Sequence, residues 1–172
     1  MKLYKGKVPN IARDIATRLK RESDCEILDE QLAEVEADIV AVINEYMRRD
    51  SEITEIAKDT IERRGLDYLQ FRRVKKQVSE QKGFGFGDDM LQYLTDQILE
   101  CLMHSPNVEE VFSDDGTMRK KMVEIFKKHL DVDAELDKEV RKRIKNLEEG
   151  TEAFDIEYAR ILQQVKRTKG LE

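Results

Sequence analysis

Apolar residues recur at intervals of three and four along most of the chain, and charged residues fill the positions between them. Val8, Ile11, Ile15 and Leu19 have the spacing that places side chains on one face of a helix. We find no segment with the alternation of period two that indicates a strand. The pattern predicts an all-α protein, with helices near residues 8–21, 28–48, 66–81, 88–103, 115–130, 133–148 and 152–167, and one more between an N-cap at Asp50 and a stop at Gly65.

The same pattern occurs twice in the chain. At an offset of 83 residues, apolar positions between 11 and 47 fall on apolar positions between 94 and 130. Farther along, the offset becomes 87, which implies four additional residues at 148–151. We interpret the chain as a tandem repeat of two four-helix units, the first at residues 1–83 and the second at residues 84–172.

The stretch GFGFG, residues 83–87, would be the joint between the two repeats. A glycine-rich phosphate loop follows a strand and precedes a helix, whereas the segment before Gly83 has a helical pattern. We therefore expect Gly83 to end a helix, and Phe84 and Phe86 to dock between the repeats. Such docking favours a pseudo-twofold eight-helix bundle over two separate lobes.

Composition supports long, solvated helices. Hydrophobic and charged residues each make up 40% of the chain, which contains two prolines. A formal net charge of −6 argues against attraction of the whole surface to nucleic acid or anionic lipid. We see neither a run of apolar residues long enough to span a membrane nor a secretory signal. We therefore expect no membrane partner, and a cytoplasmic protein whose two cysteines are reduced.

No arrangement of residues indicates catalysis, a metal or a cofactor. Cys101 and His104 are three residues apart and would share a helical face, but structural zinc needs four ligands. Cys25 and His129 would have to converge on them from other helices, so we expect no zinc. Residues 113–117, SDDGT, lack the alternating acidic ligands of a calcium loop. An enzyme that acts through unidentified carboxylates remains the third functional class.

Residues 58–76 form a basic segment, with seven basic and three acidic side chains. Two helices that meet at Gly65 would resemble a short helix-turn-helix, and their cations could contact phosphates. The second repeat does not carry this cluster in the equivalent place, which weakens the nucleic-acid interpretation. The candidate nucleic-acid contacts are Arg63, Arg64, Arg72, Arg73, Lys75 and Lys76.

With the repeats aligned, the sequence resembles a bacterial family known as domain of unknown function 507. The opening MKLYKGKVPNIARDIATRL is similar to the N-terminal helix of that family, and DVDAELDKEVRKRI followed by GTEAFDIEY is similar to its C-terminal half. Each repeat resembles one family unit, so two copies would cover nearly the whole chain. The resemblance implies a small helical bacterial protein, and it brings no activity and no site residues.

Our leading hypothesis is a non-enzymatic protein–protein interaction module that binds a protein partner, or its own copy, through apolar grooves with charged rims. A nucleic-acid-binding protein that uses the basic segment is the alternative. The two differ in salt sensitivity, which is steep for phosphate contacts. The candidate interaction surface comprises Phe84, Phe86, Phe154, Ile156 and Tyr158, although the spacing of the last three also fits core packing.

Overall fold

The helices of the computed structural model begin and end where local chemistry favours it. The structure describes residues 3, 5–144, 146–147 and 151–169, and only the backbone of residues 131–134. Gly65 ends the second helix in the left-handed conformation, and Asp114 caps the fifth by accepting a hydrogen bond from the amide of Thr117. The described helices are α1 (Val8–Arg21), α2 (Leu32–Arg64), α3 (Phe71–Gln81), α4 (Met90–His104), α5 (Asp115–Arg143) and α6 (Glu152–Thr168).

A two-stranded ribbon joins the segments that follow α1 and α4. Strand β1 (Cys25–Glu26) pairs antiparallel with β2 (Glu110–Val111), so that Cys25 lies opposite Val111. The amide of Phe112 extends the ribbon by donating to the carbonyl of Asp24 at 2.8 Å. The predicted all-α class is confirmed, and the ribbon is too short for an alternating sequence pattern to reveal it.

Each half contains three described helices, where we predicted four. Helix α2 continues through Asp50, the residue that we expected to cap a new helix. Its interior contains neither glycine nor proline, and the hydroxyl of Thr54 donates to the Asp50 carbonyl at 2.8 Å within the continuous helix. The Asp50 carboxylate binds Lys75 of α3 instead of a backbone amide. Helix α5 likewise continues through the break predicted between residues 130 and 133.

The two short helices α1 and α4 pack in corresponding ways. Helix α1 contacts α2 and α5, and helix α4 contacts α5 and α2. The four apolar residues that predicted α1, from Val8 to Leu19, are all buried. They belong to one continuous cluster that extends from Leu3 to Leu130. This core therefore contains residues from both sides of the joint at 83–87.

A second, smaller core holds α6 against the C-terminal part of α5. It consists of Leu136, Val140, Ile161 and Val165, each no more than 5% exposed. Burial of these side chains accounts for the hairpin that α5 and α6 form. Residues 148–150 of the predicted insertion at 148–151 lie outside the described residues, and so does Gly170, which the offset of 87 pairs with Gly83.

Candidate functional site

Phe84 is the centre of the joint between the halves. Its ring is 5% exposed and stacks on Tyr46 of α2, with 4.8 Å between the ring centroids. Tyr93 of α4 lies at 5.2 Å on a tilted plane, and the guanidinium carbon of Arg49 lies 5.4 Å from the Phe84 centroid. Phe84 therefore packs between α2 and α4. It is buried there, although we had listed it in the candidate interaction surface.

Gly85 allows the joint to approach α4 closely. A Cβ atom at this position would lie 2.3 Å from the Cβ of Tyr93, well inside van der Waals contact. The carbonyl of Gly85 also accepts a hydrogen bond from the Tyr46 hydroxyl at 3.0 Å. The joint thus uses this glycine for close packing.

Phe86 lies beside an ion pair whose cation, Lys75, is buried. The Lys75 ammonium is 4.2 Å from the Phe86 centroid and 2.7 Å from a carboxylate oxygen of Asp50. Lys75 is only 7% exposed, and its pairing with Asp50 offsets the cost of removing its charge from water. Of the six candidate nucleic-acid contacts, Lys75 is therefore the one that the structure withdraws from the surface.

A groove of about 1030 Å³ opens between α2, α3 and the segment 86–90. Its apolar lining consists of Leu3, Tyr46, Met47, Phe71, Phe86 and Met90. Its charged lining consists of Lys5, Arg48, Asp50, Arg72 and Lys75. We call this cavity the α2–α3 groove.

The other five candidate cations, Arg63, Arg64, Arg72, Arg73 and Lys76, surround the turn between α2 and α3. Because these two helices pack against each other, the end of α2 lies near the start of α3. All of these cations are exposed, and so are two neighbours of low polarity, Tyr68 at 64% and Leu69 at 91%. We call this surface the basic tip and define it as Arg63, Arg64, Tyr68, Leu69, Arg72, Arg73 and Lys76.

The charge of the basic tip is not neutralised within the described part of the chain. None of its five cations lies within ion-pair distance of a described carboxylate. Elsewhere on α2, in contrast, Arg48 is paired with Glu45 and Lys58 with Glu55. Asp67, an acid within the turn, accepts a hydrogen bond from the Leu69 amide at 2.9 Å and so caps the turn.

The helix dipoles distinguish two pairs of arginines in the tip. Arg63 and Arg64 lie in the last turn of α2, where a positive charge stabilises the helix. Arg72 and Arg73 lie in the first turn of α3, which contains no acidic residue. A positive charge there opposes the dipole, so helix stability accounts for the first pair but not for the second.

Sequence reasoning missed two exposed side chains of the tip, Tyr68 and Leu69. A helix beginning at residue 66 would have placed Leu69 on its buried face, but α3 begins at Phe71. A 3-10 turn, Tyr68–Gln70, precedes it, and the Tyr68 ring stacks on Phe71 at 5.4 Å. The available signal was Asp67, a favoured N-cap residue that marks a later start for the helix.

The three candidates in α6 differ in exposure. Phe154 is 9% exposed, and its ring lies 5.9 Å from that of Tyr158. The Tyr158 hydroxyl donates to Asp137 of α5 at 2.6 Å, and this hydrogen bond lowers the pKa of the Asp137 carboxyl. Ile156 is 63% exposed, so it is the candidate of these three that projects into solvent.

The cysteines and histidines do not converge. His104 lies near the carbonyl of Glu100 in its own helix, with its Nδ1 atom 2.9 Å away. His129 of α5 faces Asp14 of α1, with 2.8 Å between Nε2 and the carboxylate. Within the described ranges, no group of three or more histidine, cysteine, aspartate or glutamate side chains is placed to hold a metal.

The shifted carboxyl groups are those that bind cations or cap helices. Hydrogen bonds from Lys121 and Arg18 lower the pKa of Glu22 to about 2. Hydrogen bonds from arginines likewise lower the pKa values of Glu45 and Glu157. Such groups stay ionised near neutral pH and suit ion pairing rather than proton donation.

None of the helices in the described part of the chain is long and apolar enough to cross a bilayer.

Comparison with known proteins identifies a family. A family model described as "Protein of unknown function (DUF507)" matches residues 1–171, whereas the curated proteins give no significant match. We had expected each repeat to correspond to one family unit. The single match covers both halves, so the family unit corresponds to the whole chain. The chain therefore belongs to the DUF507 family of proteins of unknown function.

Proposed function

We propose that the protein is a non-enzymatic interaction module that binds an acidic protein surface through the basic tip. The observation that carries this proposal is the position of Arg72 and Arg73 in the first turn of α3. Their charges add to the positive end of the helix dipole, and no described carboxylate lies within ion-pair distance of either. Carboxylates of a partner would supply the missing negative charge.

The side chains between the cations favour protein over nucleic acid. Leu69 is 91% exposed, and an apolar contact from a partner would remove it from water. A phosphate backbone would engage the arginines but would leave this leucine solvated. Tyrosine and arginine together are also typical of the residues that dominate protein–protein binding energy.

We further infer that the chain is a duplication of a three-helix unit. The order short helix, strand, long helix, short helix occurs twice, and β1 pairs antiparallel with its counterpart β2, as a twofold axis would require. At an offset of 87, Ile156 corresponds to Leu69, and both are exposed. Asn146 and Leu147 stand where the first half has Arg63 and Arg64, so the second half lacks positive charge at these positions.

We place this module in the cytoplasm. Cys25 and Cys101 are both free thiols in the described structure, and unpaired cysteines are typical of reducing compartments.

Affinity capture with two matched variants tests the proposed function. The tip variant replaces Arg63, Arg64, Arg73 and Lys76 with glutamate and keeps Arg72, which also lines the groove. The control variant replaces four exposed lysines of α5 with glutamate: Lys120, Lys127, Lys128 and Lys142. Both variants have the same net charge, so a difference between them reports the location of the charge. Each protein is immobilised, incubated with nuclease-treated and with untreated lysate, and compared with wild type by quantitative mass spectrometry.

We expect a protein that wild type and the control variant retain and that the tip variant loses. The affinity of the tip variant for the purified partner should fall on the order of a hundredfold. Each exposed ionic contact that is lost contributes about 1 kcal/mol or less to the binding free energy. Equal retention by the tip variant would overturn the proposal. Ligands that disappear with nuclease would instead favour nucleic acid, whose binding falls steeply with salt.

A further inference from the structure

The geometry points to a second binding site in the α2–α3 groove, for a small amphiphile that combines an aliphatic chain with one anionic group. This inference goes beyond the proposed function and does not depend on it. Of the five cations of the basic tip, four lie outside the groove lining, and Arg72 belongs to both. The tip variant keeps Arg72, so the two sites can be tested separately.

The size and lining of the groove suit a small molecule. Its volume of about 1030 Å³ is just above the usual range for ligand pockets, about 300–1,000 Å³. Met47, Met90 and Leu3 form apolar parts of the groove wall. The flexible methionine side chain adapts readily to an aliphatic chain. Removal of such a chain from water would provide most of the binding energy.

The charges of the groove select an anion. Arg48 is paired with Glu45 and Glu52, and Lys75 is paired with Asp50, so these cations already have partners. Lys5 and Arg72, in contrast, have no described carboxylate within ion-pair distance. The groove therefore has apolar walls and two unneutralised cations. That combination is complementary to a carboxylate or phosphate at the end of an aliphatic chain.

The methionines of the chain provide a direct assay. Met47 and Met90 line the groove, Met118 and Met122 are fully buried elsewhere in the core, and Met103 is 52% exposed on α4. The protein is labelled with ¹³C-methyl methionine, and each resonance is assigned by substitution with leucine. The titrants are decanoate, decyl phosphate and decanol, each below its micelle concentration. The first two distinguish a fatty-acid head from a phosphate head, and decanol tests whether a negative charge is needed.

We expect decanoate or decyl phosphate to shift Met47 and Met90 saturably while Met118 and Met122 stay unchanged. Decanol should bind at least about tenfold more weakly, since it forms no charge-assisted hydrogen bond. Arg72→Ala should weaken anion binding about tenfold, and Lys5→Ala should act in the same direction. The matched control is Arg73→Ala, an exposed neighbour outside the groove lining, which should leave the affinity within about twofold.

Four results would overturn the inference. The first is a titration in which Met47 and Met90 do not move. The second is a shift of every methionine, which would indicate detergent action rather than a site. The third is equal weakening by Arg72→Ala and Arg73→Ala. The fourth is a shift of Met47 and Met90 with protein concentration alone, because the groove would then be occupied by a second copy of the chain. Loss of the protein partner in the tip variant would leave all these readings unaffected, so the two proposals fail separately.

Discussion

Lys121 and Asp38 occupy equivalent places on the two long helices, and each holds the loop that follows the short helix of the other half. Lys121 of α5 donates to the carboxylate of Glu22 at 2.7 Å and to that of Asp24 at 2.6 Å. Both acids lie in the segment that joins α1 to β1. The lysine thus ties the start of the ribbon to the second half of the chain.

Asp38 of α2 forms the corresponding contacts, but it accepts hydrogen bonds where Lys121 donates them. Its carboxylate accepts hydrogen bonds from the Ser105 hydroxyl at 3.0 Å and from the Asn107 side-chain amide at 3.2 Å. Ser105 and Asn107 follow α4, in the segment that leads to β2. Each strand is therefore held by a polar side chain from the long helix of the other half.

Removal of the Lys121 charge should destabilise the protein strongly. Asp24 is 1% exposed, and Lys121→Ala would leave its buried carboxylate with no described cation within ion-pair distance. We expect the free energy of unfolding to fall by about 3 kcal/mol in urea denaturation. Lys127→Ala removes an exposed lysine of the same helix and should change the value by less than about 0.5 kcal/mol. Equal effects of the two substitutions would contradict the assigned role of Lys121.

The same cluster should make stability depend on pH. The hydrogen bond from Lys121 is the main cause that lowers the pKa of Glu22 from 4.5 to about 2. Because the folded state holds the proton more weakly, Glu22 contributes stability above about pH 4.5, which is lost as pH falls toward 2. Denaturation of wild type and Glu22→Gln should therefore differ more at about pH 6 than at about pH 3. A difference that is independent of pH would show that the ion pair does not contribute through the charge of Glu22.

Phe84 should be essential to the joint. Phe84→Ala removes the ring that Tyr46, Tyr93 and Arg49 surround, and we expect a loss of about 3–5 kcal/mol in the free energy of unfolding. Phe112 is 59% exposed and supplies a control of identical chemistry, for which alanine should cost less than about 0.5 kcal/mol. Thermal or chemical denaturation of the two variants measures the contrast. A small effect at Phe84 would mean that the halves do not depend on this contact.

The two thiols should differ in reactivity. Burial, with a smaller contribution from the Asp24 charge, raises the pKa of Cys25 to about 11, and the residue is 2% exposed. Cys101 is half-buried, and burial also raises the pKa of its thiol. At about pH 8, iodoacetamide should label Cys101 slowly and Cys25 only after unfolding, as followed by peptide mass spectrometry. Labelling of Cys25 as fast as Cys101 in the native protein would contradict the buried position of β1.

Helical periodicity predicted the α1 stripe correctly because burial there depends on one face of one helix. Gly65 was likewise predicted as a helix end, since its left-handed conformation is a local property. The break at Asp50 was predicted wrongly for a different reason. An aspartate can cap a helix or continue one, and here the choice depends on Lys75, which approaches from another helix.

Tertiary contacts also decide which candidate side chains reach the surface. Phe84 and Phe86 have similar sequence surroundings, yet the first is enclosed by two tyrosines and the second lies at the groove beside Lys75. Lys75 belongs to a run of basic residues, and only its position toward α2 separates it from Lys76. Sequence therefore identified the cations of the basic tip, while the separation of Lys75 from them required the packing of α2 against α3.

Photo-crosslinking at position 69 reveals whether a protein partner contacts the basic tip. A photoreactive amino acid replaces Leu69 in the basic tip, and the same amino acid at Phe112, which is also exposed, serves as the control. After irradiation in nuclease-treated native lysate, adducts are identified by mass spectrometry. We expect one acidic protein that crosslinks from position 69 and does not crosslink from position 112. This adduct should be lost when Arg63, Arg64, Arg73 and Lys76 are replaced with glutamate. The same adducts from both positions, or an adduct from position 69 that persists after these replacements, would contradict it.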